Sequence, residues 1–134
     1  MPAKKPQNVQ SYETAAATLL TARFPGDGKA LGKNTRLHRV GENYVVRYYY
    51  TDIVTYYPDG TFSLNCGGWQ TMSTRDWIEA TAPAFIRQKS RKWEILLDNA
   101  WVPFVSGNRY RVDPDGEDRL GAKLRLTLAT PATV

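Results

Sequence analysis

The sequence predicts a mainly β, α+β domain: a small antiparallel sheet or barrel with one N-terminal helix and one short helix after a Gly-Gly-Trp corner. Three observations carry this expectation. Short runs of β-branched and aromatic residues recur along the chain, and such side chains pack well on a pleated surface. Turn residues separate these runs every 8–12 positions or so, the spacing of an antiparallel sheet. Only two stretches have helical composition with a start signal, one at Ser11 and one after Trp69.

At 134 residues the chain reads as one domain, 11–128, with a flexible basic arm at 1–10 and a flexible Pro/Thr/Ala tail at 129–134. Pro2, Lys4, Lys5 and Pro6 disfavour packed structure in the arm. Ser11 caps a helix running to about Arg23, built on Ala15, Ala16, Ala17, Leu19 and Leu20. Pro25-Gly26-Asp27-Gly28 is a loop, and Leu31-Gly32-Lys33-Asn34 is a turn into the first strand, Thr35–Val40. Gly41-Glu42-Asn43 turns the chain into the aromatic run Val45–Tyr50. A second run, Ile53–Tyr57, follows it, with Asp52 marking a bulge or bend between the two, or within one long bent strand. Pro58-Asp59-Gly60 is a tight turn, and Thr61–Asn65 returns as a hairpin. Cys66-Gly67-Gly68 makes a sharp corner, Ser73 with Asp76 starts a helix, and Pro83 limits it. Phe85–Gln88 and Lys92–Leu97 are strands joined by Lys89-Ser90-Arg91. Trp101–Val105 is an edge strand because of Pro103, and Arg109–Val112 and Leu124–Leu128 complete the pattern.

Composition narrows the function classes. The single cysteine excludes an intramolecular disulfide framework and is compatible with a reducing cytoplasm. No apolar run is long enough to span a membrane, and Met1–Gln10 has no apolar core of the signal-peptide type. Twelve of the 16 aromatics are Trp or Tyr, rings with a polar tip that favour binding surfaces. Residues 1–34 carry five Lys and Arg against two acids, residues 35–92 eight against five, and residues 93–134 five against six. The positive charge therefore lies in the first two thirds, which suits an anionic partner, nucleotide or nucleic acid; a net charge of +5 also serves plain solubility.

Five groups of residues carry candidate chemistry. Trp69, Thr71, Ser73, Thr74 and Arg75 are the preferred site: a helix start offers free amides and hydroxyls to an anion, Arg75 adds charge, and Trp69 offers a stacking face. The same residues also serve as a buried corner Trp with ordinary caps. Arg87, Lys89, Arg91 and Lys92 beside Trp93 form a basic cluster that either grips phosphate or is a solvated hairpin tip. On paired strands Arg36 and His38 share one face, Arg39 lies on the other, and Arg47 follows on the neighbouring strand; such a face binds an anion or is balanced by acids such as Glu42. The acidic run Asp113-Pro114-Asp115-Gly116-Glu117-Asp118 resembles a calcium loop, but its spacing is truncated, so no metal is expected. Cys66 and His38 are the sole thiol and imidazole, and a buried structural cysteine is the usual case. Phosphate-loop, dinucleotide-fold, zinc and nucleophile-elbow signatures are missing from the sequence, so no cofactor and no enzymatic activity are expected.

Leu31-Gly32-Lys33-Asn34-Thr35, then Thr51–Tyr56, Asp59-Gly60, and Gly67-Gly68-Trp69 followed by Thr71 and Ser73-Thr74-Arg75 resemble a group of small bacteriophage proteins. Their pattern is LGxNT, TxIVT[FY], DG and GGWxTxTT[KR]. The resemblance covers about residues 31–97. Where that group continues with R-I-N, this chain has Trp77-Ile78-Glu79. The group is in turn similar to phage anti-Thoeris proteins, which sequester cyclic signalling nucleotides. The resemblance implies a non-enzymatic, phage-encoded binding protein acting in counter-defence or phage DNA metabolism in the host cytoplasm. In it Trp69 stacks on a base, Thr71, Ser73 and Thr74 donate hydrogen bonds, Arg75 pairs with phosphate, and Arg47, Arg87 and Arg91 form a positive rim. The alternative is a virion or assembly protein whose arm, Ala-rich helix and tail contact other subunits, and exposed strand edges suit homo-oligomer pairing.

Overall fold

The computed structural model describes residues 10–117 and 124–130. Its elements are α1 (Tyr12–Leu19), a 3₁₀ turn (Pro25–Asp27), β1 (Lys29–Gly32), β2 (Thr35–Val40), β3 (Asn43–Tyr48), β4 (Thr51–Tyr56) and β5 (Phe62–Leu64). Then follow α2 (Met72–Thr81), β6 (Ile86–Lys89), β7 (Lys92–Leu97), β8 (Ala100–Pro103), β9 (Arg109–Glu117) and β10 (Leu124–Thr130). The fold is mainly β with two helices, the class the sequence predicts. Seven strands form one antiparallel sheet in the order β1-β2-β3-β4-β5-β9-β10, and β6-β7-β8 form a second sheet of three.

Alternation builds the core. Leu37, Val46, Val54 and Leu64 face one another across β2 to β5, and Tyr56, Phe62 and Tyr110 do so across β4, β5 and β9. All seven are buried. Both helices and the small sheet add to this core: Ala15 and Leu19 from α1, Trp77 and Ile78 from α2, and Trp93, Ile95 and Phe104 from β7 and the residues after β8. Burying each large apolar side chain contributes about 1.5–3 kcal/mol, enough to hold the layers together without covalent staples. Polar ties fix the layers in register. The Tyr56 hydroxyl donates to the Thr81 carbonyl at the end of α2. The Asp98 amide donates to the Leu126 carbonyl at 2.8 Å, joining the end of β7 to β10.

Several expectations are met and several shift. Ser11 caps α1 in a reciprocal box with Thr14, but the helix ends at Leu19 rather than near Arg23. The Thr21 amide and hydroxyl both turn back on the Thr18 carbonyl, which tightens the chain there. Four residues ahead of the expected first strand form β1, paired to β2. The aromatic run is neither a straight nor a bent strand. It is a hairpin, β3 to β4, that turns at Tyr49-Tyr50, with Tyr49 in the left-handed region (φ 55°). A bulge does exist, one residue beyond Asp52: the register slips between Val46 and Arg47, so Ile53 and Val54 are both buried. Pro103 lies on β8, an edge strand. Residues Asp113 to Glu117 of the acidic run extend β9 instead of forming a loop. Residues 1–9 of the arm and 131–134 of the tail lie outside the described residues, while Ala129 and Thr130 belong to β10.

Candidate functional site

The sheet has two ends, and one of them is hollow. At that end the β1–β2 turn at Lys33-Asn34, the β3–β4 turn at Tyr49-Tyr50, and the corner Cys66-Gly67-Gly68 leading to α2 come side by side. The turns are tied together: the Tyr49 amide donates to the Asn34 carbonyl at 2.8 Å, and Asn34 Nδ2 donates to the Tyr49 hydroxyl at 3.0 Å. The corner is fitted to the hairpin equally closely. Gly67 has φ +61°, and a Cβ there would stand 2.5 Å from Thr51 Oγ1, so only glycine fits.

Between these turns and the start of α2 lies a cavity of about 480 Å³, lined by Tyr48, Tyr49, Tyr50, Thr51, Ile53, Cys66, Trp69, Thr71, Ser73 and Thr74. Trp69 is 67% exposed and Tyr50 98% exposed, so two ring faces stand open beside it. Exposed rings on a rigid turn are costly for solubility and are what a stacking ligand uses. Tyr49 adds a third ring, held edge-on to Tyr48 at 4.8 Å.

The helix start is capped by Thr71, not by Ser73 as the sequence suggested. Thr71 is extended and its Oγ1 accepts from the Thr74 amide at 3.2 Å. The helix so begun carries Thr74, Trp77, Ile78 and Thr81 on one buried stripe. The Thr71 and Thr74 hydroxyls bond to each other at 3.0 Å. Ser73 is exposed at the cavity wall, where the positive end of the α2 dipole adds to its hydroxyl.

Four of the five residues in the preferred group, Trp69, Thr71, Ser73 and Thr74, thus line one cavity; Arg75 is half-buried on α2 and is not in its wall. Arg47 lies outside that cavity but lines two adjacent hollows. One, of about 460 Å³, also has Tyr50, Thr51, Asp52, Asn65 and Gly67 in its wall. The other, of about 310 Å³, includes Asn34, Arg36, His38, Tyr49 and Tyr50. Arg47 is held by Asp52, Nε to Oδ1 at 2.7 Å. Arg87 and Arg91 line none of these three hollows. Arg87 pairs with Glu94 at 2.7 Å and lies 4.4 Å over the Trp101 ring, so its charge serves the small sheet. Arg91 occupies the β6–β7 turn with φ 66°. The basic cluster is thus a hairpin tip.

Cys66 and His38 stand in different hollows. Cys66 Sγ is 3.3 Å from Ser106 Oγ. The His38 imidazole has its pKa lowered, by burial first and then by the charges of Arg47 and Arg36. Among the described residues no group of three or more His, Cys, Asp or Glu is placed to hold a metal ion, and no helix is long and apolar enough to cross a membrane. Sequence reasoning missed Tyr48, Tyr49, Tyr50, Thr51, Ile53 and Cys66 as cavity walls. The signal was present in the three consecutive tyrosines ahead of Thr51-Asp52, an aromatic excess that a strand with one buried face does not need. Comparison with protein-family models, curated proteins and solved structures gives no match to this chain.

Proposed function

We propose that the protein is a non-enzymatic binding protein that captures an anionic nucleotide, its base stacked in the aromatic cavity. The observation that carries this reading is the cavity of about 480 Å³ walled by Trp69, Tyr49 and Tyr50 on one side and the start of α2 on the other. Its size falls in the range of small-molecule sites, about 300–1,000 Å³. Stacking on an exposed ring is worth about 1–3 kcal/mol per base, and Ser73 with Thr51 supplies hydrogen bonds around it. The walls offer rings and hydroxyls, a set suited to holding a ligand, and the Cys66 thiol lies against the Ser106 hydroxyl. The resemblance of its sequence motifs to those of small phage proteins favours a counter-defence role, with a signalling nucleotide as cargo in the host cytoplasm.

A thermal-shift screen tests this. Cyclic and linear mono- and dinucleotides and short DNA are compared at low and high salt. A ligand at a hundredfold its Kd adds about 2.7 kcal/mol of stability. A salt-resistant shift with a small nucleotide, lost in Trp69→Ala, is the expected result. A shift that Trp69→Ala leaves unchanged sinks the cavity assignment. A shift with polymers alone, lost at high salt, means backbone binding. No shift with any of them favours the virion or assembly role.

A further inference from the structure

The hollow beside the cavity has a feature that folding does not require. Arg36 on β2 and Arg47 on β3 are directly opposed partners in the register, and like charges directly opposite each other destabilise a sheet. Both are nevertheless held in place. Arg36 donates from Nε and Nη2 to the Asp27 carbonyl at 3.2 and 2.9 Å, and from Nη2 to the Gly28 carbonyl at 3.2 Å. Arg47 is held by Asp52. Among the described residues Arg36 meets no carboxylate within ion-pair distance, so its charge is oriented but not neutralised. His38 lies on the same face of β2, two residues on, and Asn34 adds an amide. The backbone is shaped to this arrangement: Gly28 has φ +81°, and a Cβ there would stand 2.9 Å from His38 Nδ1.

The hollow of about 310 Å³ shares Tyr49 and Tyr50 with the aromatic cavity, so the two are separated only by the hairpin turn. We propose that Arg36, Arg47, His38 and Asn34 form the phosphate subsite of the ligand whose base stacks in the aromatic cavity, the ligand crossing the Tyr49-Tyr50 turn. This rests on the reading of the cavity as a nucleotide site. It moves the phosphate contact from Arg75 to the opposite side of the site. Arg36 supplies an uncompensated guanidinium, Arg47 a second held in position, and His38 a ring that gains a proton-binding partner when a dianion arrives. The groups around that ring are Arg36, Arg47 and Asp52.

His38 is the only histidine in the chain, so its NMR resonances report on the hollow without ambiguity. Inorganic phosphate, adenosine and ADP serve as probes, with chloride at matched ionic strength as control, and Trp69 fluorescence reports on the cavity against a Trp69→Phe background. Phosphate is expected to move the His38 signal to saturation and raise its pKa. ADP is expected to do so at concentrations at least about tenfold lower, because the base holds the phosphate at a high local concentration. Arg36→Met should remove the advantage of ADP over adenosine while adenosine quenching survives, which shows that the cavity is still folded. If ADP quenches Trp69 and leaves His38 unmoved, the subsite is overturned and the cavity reading stands. If phosphate moves His38 but no nucleotide quenches Trp69, the cavity reading fails and the joined ligand fails with it. An equal response to chloride overturns the subsite outright.

Discussion

The two ends of the large sheet are built by the same hairpins but in opposite ways. At the far end, the turn Pro58-Asp59-Gly60 closes on itself. Asp59 Oδ1 accepts from the Thr61 amide at 2.9 Å and its hydroxyl at 2.6 Å, and Oδ2 accepts from Arg109 Nη2 at 3.0 Å. The Arg109 guanidinium lies 3.6 Å over the Tyr57 ring. In this turn the one carboxylate, Asp59, has its complement in Arg109 of β9. At the near end, rings stand exposed, Arg36 lacks a carboxylate, and glycine is required at Gly67 to let the corner touch the hairpin. Local turn bonds and one cation from β9 close the first end; at the second, rings and a guanidinium are left exposed.

Substitutions break or sharpen this contrast. The largest effect is expected from Gly67→Ala, which adds a side chain at positive φ and against Thr51. It should cost about 2–3 kcal/mol, read by denaturant midpoint, and also abolish binding in the cavity. An unchanged midpoint would mean that the corner is not fitted to the hairpin. Next come paired losses that separate the ends. Arg109→Met should cost about 1–2 kcal/mol of stability and leave ligand binding alone. Trp69→Ala should change stability by less than about 0.5 kcal/mol while weakening a stacked nucleotide about 5- to 150-fold by calorimetry. Any crossover between these columns would dissolve the distinction.

The smallest effect is in acid. The Thr61 hydroxyl, then its amide and Arg109, hold the Asp59 carboxyl at about 2, below its ordinary 3.8. A depressed carboxylate contributes stability that is fully present above about pH 4 and is lost as pH falls toward 2. Asp59→Asn should therefore flatten the fall of Tm between pH 4 and 2. Parallel Tm curves for the two proteins would show that the turn is not electrostatically held.

Much of this was legible because the signals were local. Ser11 with Thr14, the Pro58-Asp59-Gly60 turn, the pairing of Thr35–Val40 with the aromatic run, and the placing of Pro103 at an edge each rest on a few neighbouring residues. What stayed hidden depends on tertiary contacts. Tyr49-Tyr50 contains no residue that announces a turn, since tyrosine favours strands; the turn is held by Asn34 from another hairpin. β1 has no apolar alternation and exists by pairing with β2. Thr71 and Ser73 are both capping residue types, and only the bond from the Thr74 amide to the Thr71 hydroxyl distinguishes them. The site followed the same rule. Trp69, Thr71, Ser73 and Thr74 fall within six consecutive positions and were found together, whereas the opposite wall needed the unseen turn, and Arg87 was absorbed by Glu94 and Trp101.

The short strand β5 has a further consequence, in the order of assembly. Among the described residues it is the strand that links the β1–β4 hairpins to β9–β10 in the sheet, pairing with β9 at Phe62–Tyr110 and Ser63–Arg109, with Leu64 bonded to Gly107 and Asn108 just before β9. The chain leaves the sheet after Leu64 and comes back at Arg109, having built α2 and the small sheet on the way. Hairpins with tight turns close in about 1–10 μs, whereas joining distant segments waits for a long loop to close. The β2–β3–β4 meander is therefore the expected early nucleus, with β9–β10 zipping on last. In the reverse direction the sheet parts first along β5, so slow amide exchange should persist in β3 and β4 after β9 and β10 have opened.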